Sequence, residues 1–146
     1  MADKFGDGSI LPMLAWKRPG NLGVKDGRLA PPRKTPNCVS SQADPSDAEH
    51  YIAPISFKGT TAEAMAAARR AIESMERSKI VREERGYIYA EFRSKLLGFV
   101  DDVELLHDEK AGLFHARSAS RLGRRDFGVN RKRVERLREE LQARAR

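Results

Sequence analysis

This sequence predicts an α+β fold: a curved antiparallel sheet packed on one face by helices and preceded by an irregular Pro/Gly-rich N-terminal arm. Three observations carry that reading. Short alternating segments succeed one another through residues 80–119 with turn signals between them, as hairpins require. One segment before them has a helix-start signature, and a basic amphipathic segment follows. Helices gathered at two points, instead of alternating with strands, indicate α+β and not a parallel α/β sheet.

Residues 1–36 hold Pro12, Pro19, Pro31, Pro32 and Pro36 and follow neither a helical nor a strand period. They form the arm. Leu11, Met13, Leu14, Trp16, Leu22 and Leu29 are too many apolar groups for a purely disordered tail, so part of it is expected to lie on the domain or on a partner. A single domain is expected over residues 37–146. Tyr51–Phe57 alternates and is rich in β-branched and aromatic residues, and Pro54, which has no N–H to give a ladder, makes it an edge strand. Thr60 with Glu63 three residues on is a capping box, after which Met65, Ala68, Ile72 and Met75 recur on one helical face to an end near Ser78. Ile80–Glu83 and Tyr87–Ser94 flank a Glu-Arg-Gly turn as a hairpin, and Phe99–His107 and Leu113–Ala119 flank the loop Asp108–Gly112 as another. Asn130 is expected to N-cap a last helix whose Val134, Leu137 and Leu141 form its inner stripe.

Length and composition narrow the function classes. With 146 residues, 40% of them hydrophobic, the chain is long enough for one core and too short for two. The formal net charge is +7, and all the excess sits at the end: from Arg117 onward there are 11 Lys/Arg against 4 Asp/Glu, leaving 17 against 17 before it. Such a surplus favours an anionic partner. The lone Cys38 excludes an internal disulfide and a cysteine metal cluster, and the three histidines have no metal-ligand spacing. The N-terminus lacks the basic start and unbroken apolar run of a secretory signal, and no stretch approaches the roughly 20 apolar residues of a membrane span. A soluble cytoplasmic protein is expected.

Two polar blocks stand out. One is Asn37-Cys38-Val39-Ser40-Ser41, and the other, from Arg117 to Arg133, reads RSASRLGRRDFGVNRKR. Together with PNCVSSQA, YIAPISF and GFVDDVEL, the long run ARSASRLGRRDFGVNRKRVERLR resembles the bacterial and plastid family named domain of unknown function 1499 (DUF1499). The resemblance runs from about Gly27 to the last helix and rests on several blocks in the right order. It implies a single compact domain and no particular activity. Many members carry a second Cys before the first block where this chain has Pro32, so no paired-thiol role is implied here. Carried onto this chain, the family's marked positions are Asn37, Cys38, Ser40 and Ser41, then Arg117, Ser118, Ser120, Arg121, Asp126, Gly128, Asn130, Arg131 and Arg133.

The two blocks are expected to meet in space as one concave site. Arg117, Ser118, Ser120 and Arg121 would form an anion cradle, with Asn37, Ser40 and Ser41 opposite and the helix start at Asn130 facing the same place. The alternative is that Arg117 and Arg121 pair with Asp101, Asp102 or Glu104 across the sheet while Asp126 and Asn130 hold the turn. Cys38 as a nucleophile would need a base within reach, and His50 is merely the nearest in sequence. The basic helix could enter a nucleic-acid groove, yet Glu135, Glu139 and Glu140 interrupt its charge, which does not favour nucleic acid. The expectation is therefore a non-catalytic binding or accessory domain with a polar pocket for an anionic small molecule or an acidic partner segment. An enzyme using Cys38 or the Ser/Arg cluster comes second and a nucleic-acid-associated protein third. No cofactor is implied.

Overall fold

The structure, a computed structural model, describes residues 17–95 and 98–145. Leu11, Pro12, Met13, Leu14 and Trp16 of the predicted arm lie outside them. In chain order the elements are β1 (Cys38–Ser40), β2 (Ile55–Ser56), α1 (Thr61–Glu73), β3 (Ser78–Glu84), β4 (Tyr87–Arg93), β5 (Val100–Asp108), β6 (Leu113–Ser120) and α2 (Val129–Ala143). The expected α+β architecture is present: β3, β4, β5 and β6 form an antiparallel meander, and both helices pack on one face of an open six-stranded sheet. No helix among the described residues is long and apolar enough to cross a membrane.

Turn chemistry sets the meander. Gly86, at φ +78°, closes the β3–β4 hairpin in a left-handed conformation that costs a larger residue steric strain. Ile80 pairs with Ala90 but Arg82 pairs with Tyr89, so Val81 is the extra residue of a bulge. Val81 lies on the face away from the helices, where it packs with Leu22, Leu29, Tyr87, Tyr89 and Leu106, and the bulge brings Arg82 to that same face, over the Tyr87 ring.

Helix α1 starts where predicted. The Thr60 hydroxyl accepts the Glu63 N–H and the Glu63 carboxylate accepts the Thr60 N–H. Ala64, Ala67, Ala68 and Ala71 are buried with Met65 and Ile72, and their small side chains let the helix lie close on the sheet. It ends at Glu73, short of the expected Ser78, because Arg77 takes a left-handed φ of +57° and exchanges hydrogen bonds with Arg93, which begins β3 at Ser78.

The outer edge of β6 corrects the reading most. Tyr51–Phe57 is not one edge strand: only Ile55–Ser56 pairs with β6, opposite Phe114 and Leu113. Pro54 has no N–H, and the carbonyls of Ala53 and Pro54 are gripped by Arg138 of α2 at 2.8 and 2.7 Å. The rest of that edge belongs to β1, which the sequence did not mark as a strand; three residues are too few to show a period.

The core lies between the helices and the sheet. Val134, Leu137 and Leu141 of α2 meet Ala68 and Ile72 of α1 and the inward side chains Val39, Ile88, Ala90, Phe92, Val103, Leu105, Phe114 and Ala116. The opposite face is covered by the arm, whose Leu29 is buried against Tyr87 and Tyr89.

Candidate functional site

The two polar blocks are neighbouring strands. Cys38 stands opposite Ala119, Val39 opposite Ser118 and Ser40 opposite Arg117 in the antiparallel β1–β6 ladder. Because side chains alternate along a strand, this pairing also divides the blocks. Ser118 and Ser120 point to the helix face with Val39, whereas Cys38, Ser40 and Arg117 point to the arm face. The residues expected in one site thus form two clusters with a sheet between them.

On the helix face Asn130 is the centre. Its side-chain oxygen accepts the Ser118 hydroxyl at 2.6 Å, and its amide donates to Ser120 Oγ at 2.8 Å, Asp126 Oδ2 at 2.8 Å and the Asn37 carbonyl at 3.2 Å. The Asn37 side chain binds the loop after β6, donating to the Gly123 carbonyl at 2.6 Å and accepting the Thr35 hydroxyl at 2.8 Å. Asn130 does not N-cap α2 as expected, for the helix begins two residues earlier, at Val129, with Gly128 at the cap, φ +78°. Asp126 caps in its stead, taking the N–H groups of Gly128 and Asn130 at 2.9 and 3.2 Å. Burial pushes the Asp126 carboxyl up, but these bonds outweigh it and hold it below the usual carboxylate range. Beside this cluster Arg133 donates to buried Asp101 at 2.7 Å; burial nonetheless raises the Asp101 carboxyl above its ordinary value.

On the arm face lies a buried charged layer. Arg121 donates to both Asp102 oxygens, at 2.9 and 2.8 Å, to Glu91 at 2.6 Å and to the Tyr89 hydroxyl at 3.1 Å. Fully buried Glu104 accepts the Tyr87 hydroxyl at 2.5 Å and the backbone N–H of Gly23 at 2.8 Å, and faces Arg117 at 3.8 Å. Arg117 itself donates to the Pro31 carbonyl. From the arm, Arg18 joins Glu91 at 2.7 Å. Burial raises the Glu91 carboxyl, and the Arg18 and Arg121 guanidiniums more than reverse that; burial and the adjacent carboxylates raise both tyrosines. Of the two readings left open, the acid pairing describes what these arginines touch. Glu91, Tyr87, Tyr89 and Arg18 were not singled out in the sequence, since alternation in a strand looks the same whether its second face is wet or covered.

The thiol of Cys38 is fully buried. Ser40 Oγ accepts the Gln42 N–H at 3.1 Å. Ser41 Oγ accepts the Ala116 N–H at 2.9 Å and lies 3.1 Å from His115 Nδ1, on a ring whose pKa burial lowers. His50, far from being a base for Cys38, is held by Asp47 at 2.7 Å and the Thr35 carbonyl at 2.9 Å. Among the described residues no group of three or more His, Cys, Asp or Glu side chains could hold a metal ion.

One groove open to a ligand lies at the start of α2, of about 440 Å³, lined by Pro36, Val39, Glu49, Arg125, Asp126, Phe127, Gly128 and Arg131. Its size is that of a small-molecule site. Asp126, Gly128 and Arg131 are the marked positions on it; Arg131 also donates to the Ala48 and Glu49 carbonyls at 3.3 Å and so fixes the opposite wall. Arg125 and Phe127 were missed. Phe127 is 88% exposed and sits at φ +54°, a left-handed conformation that costs a non-glycine residue about 1 kcal/mol. The signal was in the sequence: an aromatic between Arg124-Arg125 and a glycine, where no strand or helix period could bury it.

The family model for DUF1499, described as a protein of unknown function, matches residues 28–141. No curated protein matches the chain.

Proposed function

The chain belongs to the DUF1499 family, whose description assigns no activity, and we propose that it is a non-catalytic binding module, taking an anionic small molecule or an acidic partner segment in the groove at the start of α2. The observation that carries this reading is Phe127. An aromatic ring left 88% in water on a strained backbone gives the isolated fold nothing. Flanked by Arg125 and Arg131 in one groove, it offers an apolar contact between two guanidiniums. The buried clusters around Asn130 and Arg121 then serve as the frame that holds this corner rigid, with Asn37, Ser118, Ser120 and Asp126 fixing the start of α2.

The enzyme reading names Cys38 or the Ser/Arg cluster; a serine beside a histidine, Ser41 with His115 at 3.1 Å, is the contact that bears on it. That reading has less support, because the serine hydroxyl is buried and already accepts a backbone N–H.

The test is a fluorescence-anisotropy titration of a labelled Glu-rich peptide containing one Leu, with inorganic pyrophosphate as a competitor. Binding should weaken with salt and fall about tenfold in Arg131→Glu and in Phe127→Ser, a loss on the scale of one charged contact. Lys110→Glu, in the β5–β6 turn, should leave it unchanged. Equal binding by all four proteins, or none by the wild type, would remove the reading.

A further inference from the structure

Three of the described large apolar side chains stand out as exposed, and two of them, Phe127 at 88% and Val129 at 43%, are two residues apart. Phe127 lines the first groove and Val129 a second. Val129, Lys132, Arg133 and Arg136 line it from the helix, and Ser74, Met75, Glu76, Arg77, Phe92 and Arg93 from the sheet and the end of α1. On the helical wheel Arg131 falls on the opposite flank of α2 from Lys132 and Arg136, so the apolar pair has cations on both sides. Arg124, Arg125 and Lys132 are exposed and have no acidic partner among the described residues. Arg131 gives its hydrogen bonds to the neutral Ala48 and Glu49 carbonyls, and Glu49 and Asp126 line the same groove as it does.

From this arrangement we infer that the corner docks on an anionic phospholipid surface, with Phe127 and Val129 entering the headgroup region and Arg124, Arg125, Arg131 and Lys132 meeting the lipid phosphates. The inference rests on the groove reading above and names its anionic partner. Charge complementarity selects an anionic surface. Shape selects a bilayer over a folded acidic protein, because Phe127 projects from the rim almost wholly in water and a protein partner would have to supply a matching pocket for it. Two apolar side chains alone give only weak, reversible insertion, and a basic flank is the second signal that makes such binding measurable. The backbone suits that role: Phe127 and Gly128, at φ +54° and +78°, turn the chain sharply at the tip, before α2 begins at Val129.

The experiment is co-sedimentation of the full chain with vesicles of phosphatidylcholine containing about one-third phosphatidylglycerol, and with phosphatidylcholine alone, alongside the Glu-rich peptide titration. Expected is binding to the anionic vesicles only, reduced about tenfold in Phe127→Ser with Val129→Ser and again in Arg125→Glu with Lys132→Glu. All four positions are on the surface, and far-ultraviolet circular dichroism checks that the variants fold. Binding to both vesicle types alike, or binding undiminished in the apolar double variant, overturns the inference. Peptide binding without vesicle binding overturns it and leaves the groove reading standing. Binding to neither removes both.

Discussion

The side-chain amide of Asn130 donates to the backbone carbonyl of Asn37 at 3.2 Å, joining two residues 93 positions apart. The same carbonyl accepts the Ser120 N–H at 3.0 Å. One oxygen thus ties together the residue that leads into β1, the end of β6 and the first turn of α2. Asn130→Ala would take away the acceptor of the Ser118 hydroxyl and one partner each of Ser120, Asp126 and the Asn37 carbonyl in a buried interface. A loss of about 2–4 kcal/mol is expected, several times one ordinary hydrogen bond, and urea unfolding measures it. Asn130→Asp should be at least as damaging near neutral pH, where two carboxylates would face each other, and less so at acid pH.

Arg121→Ala is expected to act on stability. It would remove the only cation on Asp102 among the described contacts and one of two on Glu91, leaving carboxylates in a buried layer. Breaking such a pair from one side costs about 3–5 kcal/mol. The deficit should shrink as pH falls through the carboxylate range and the acids take up protons, which denaturation of both proteins at neutral and acid pH would reveal. An unchanged midpoint would mean that the layer is hydrated in solution.

His50 gives the pH dependence its upper limb. Burial lowers its pKa, but Asp47 at one ring nitrogen and the Thr35 carbonyl at the other raise it more, so the net shift is upward. A neutral imidazole has one N–H and cannot donate to both. The stabilisation is therefore fully present below the unfolded value of about 6.5 and is lost as pH rises through the higher folded value. Unfolding midpoints should decline over that window in the wild type and stay flatter in His50→Gln.

Cys38 is buried, with no polar side-chain partner among the described residues, so a thiol reagent should reach it only when the sheet edge opens. Labelling of the native protein is expected to be slow and to quicken sharply in mild denaturant. Cys38→Ala should cost about 1 kcal/mol, the scale of a small cavity. Rapid stoichiometric labelling of the folded chain would show that β1 separates from β6 in solution.

The capping box at Thr60 and Glu63, the glycine turn at Gly86, the alternating strands β4 to β6 and the stripe Val134, Leu137 and Leu141 were all legible in the sequence. Each is a local preference repeated often enough to be read. They determined the α+β class and the order of the meander. The end of α1 was not legible, because the left-handed turn at Arg77 is held by Arg93 across a hairpin. Nor was β1, whose three residues become a strand only because β6 offers them an edge. The same limit applied to the polar blocks. Sequence alone picked out Asn37, Ser40, Arg117, Ser118, Ser120, Arg121 and Asn130 as one shared site for an anionic ligand, whereas in the structure their side chains are buried and bonded to other groups of the chain. Which partners was decided by the register of β1 on β6, which sends alternate side chains to opposite faces of the sheet. Composition placed the surplus positive charge at the C-terminal end, but only the packing of α2 decided that its inner stripe would face the sheet and leave Phe127 and the neighbouring cations in water.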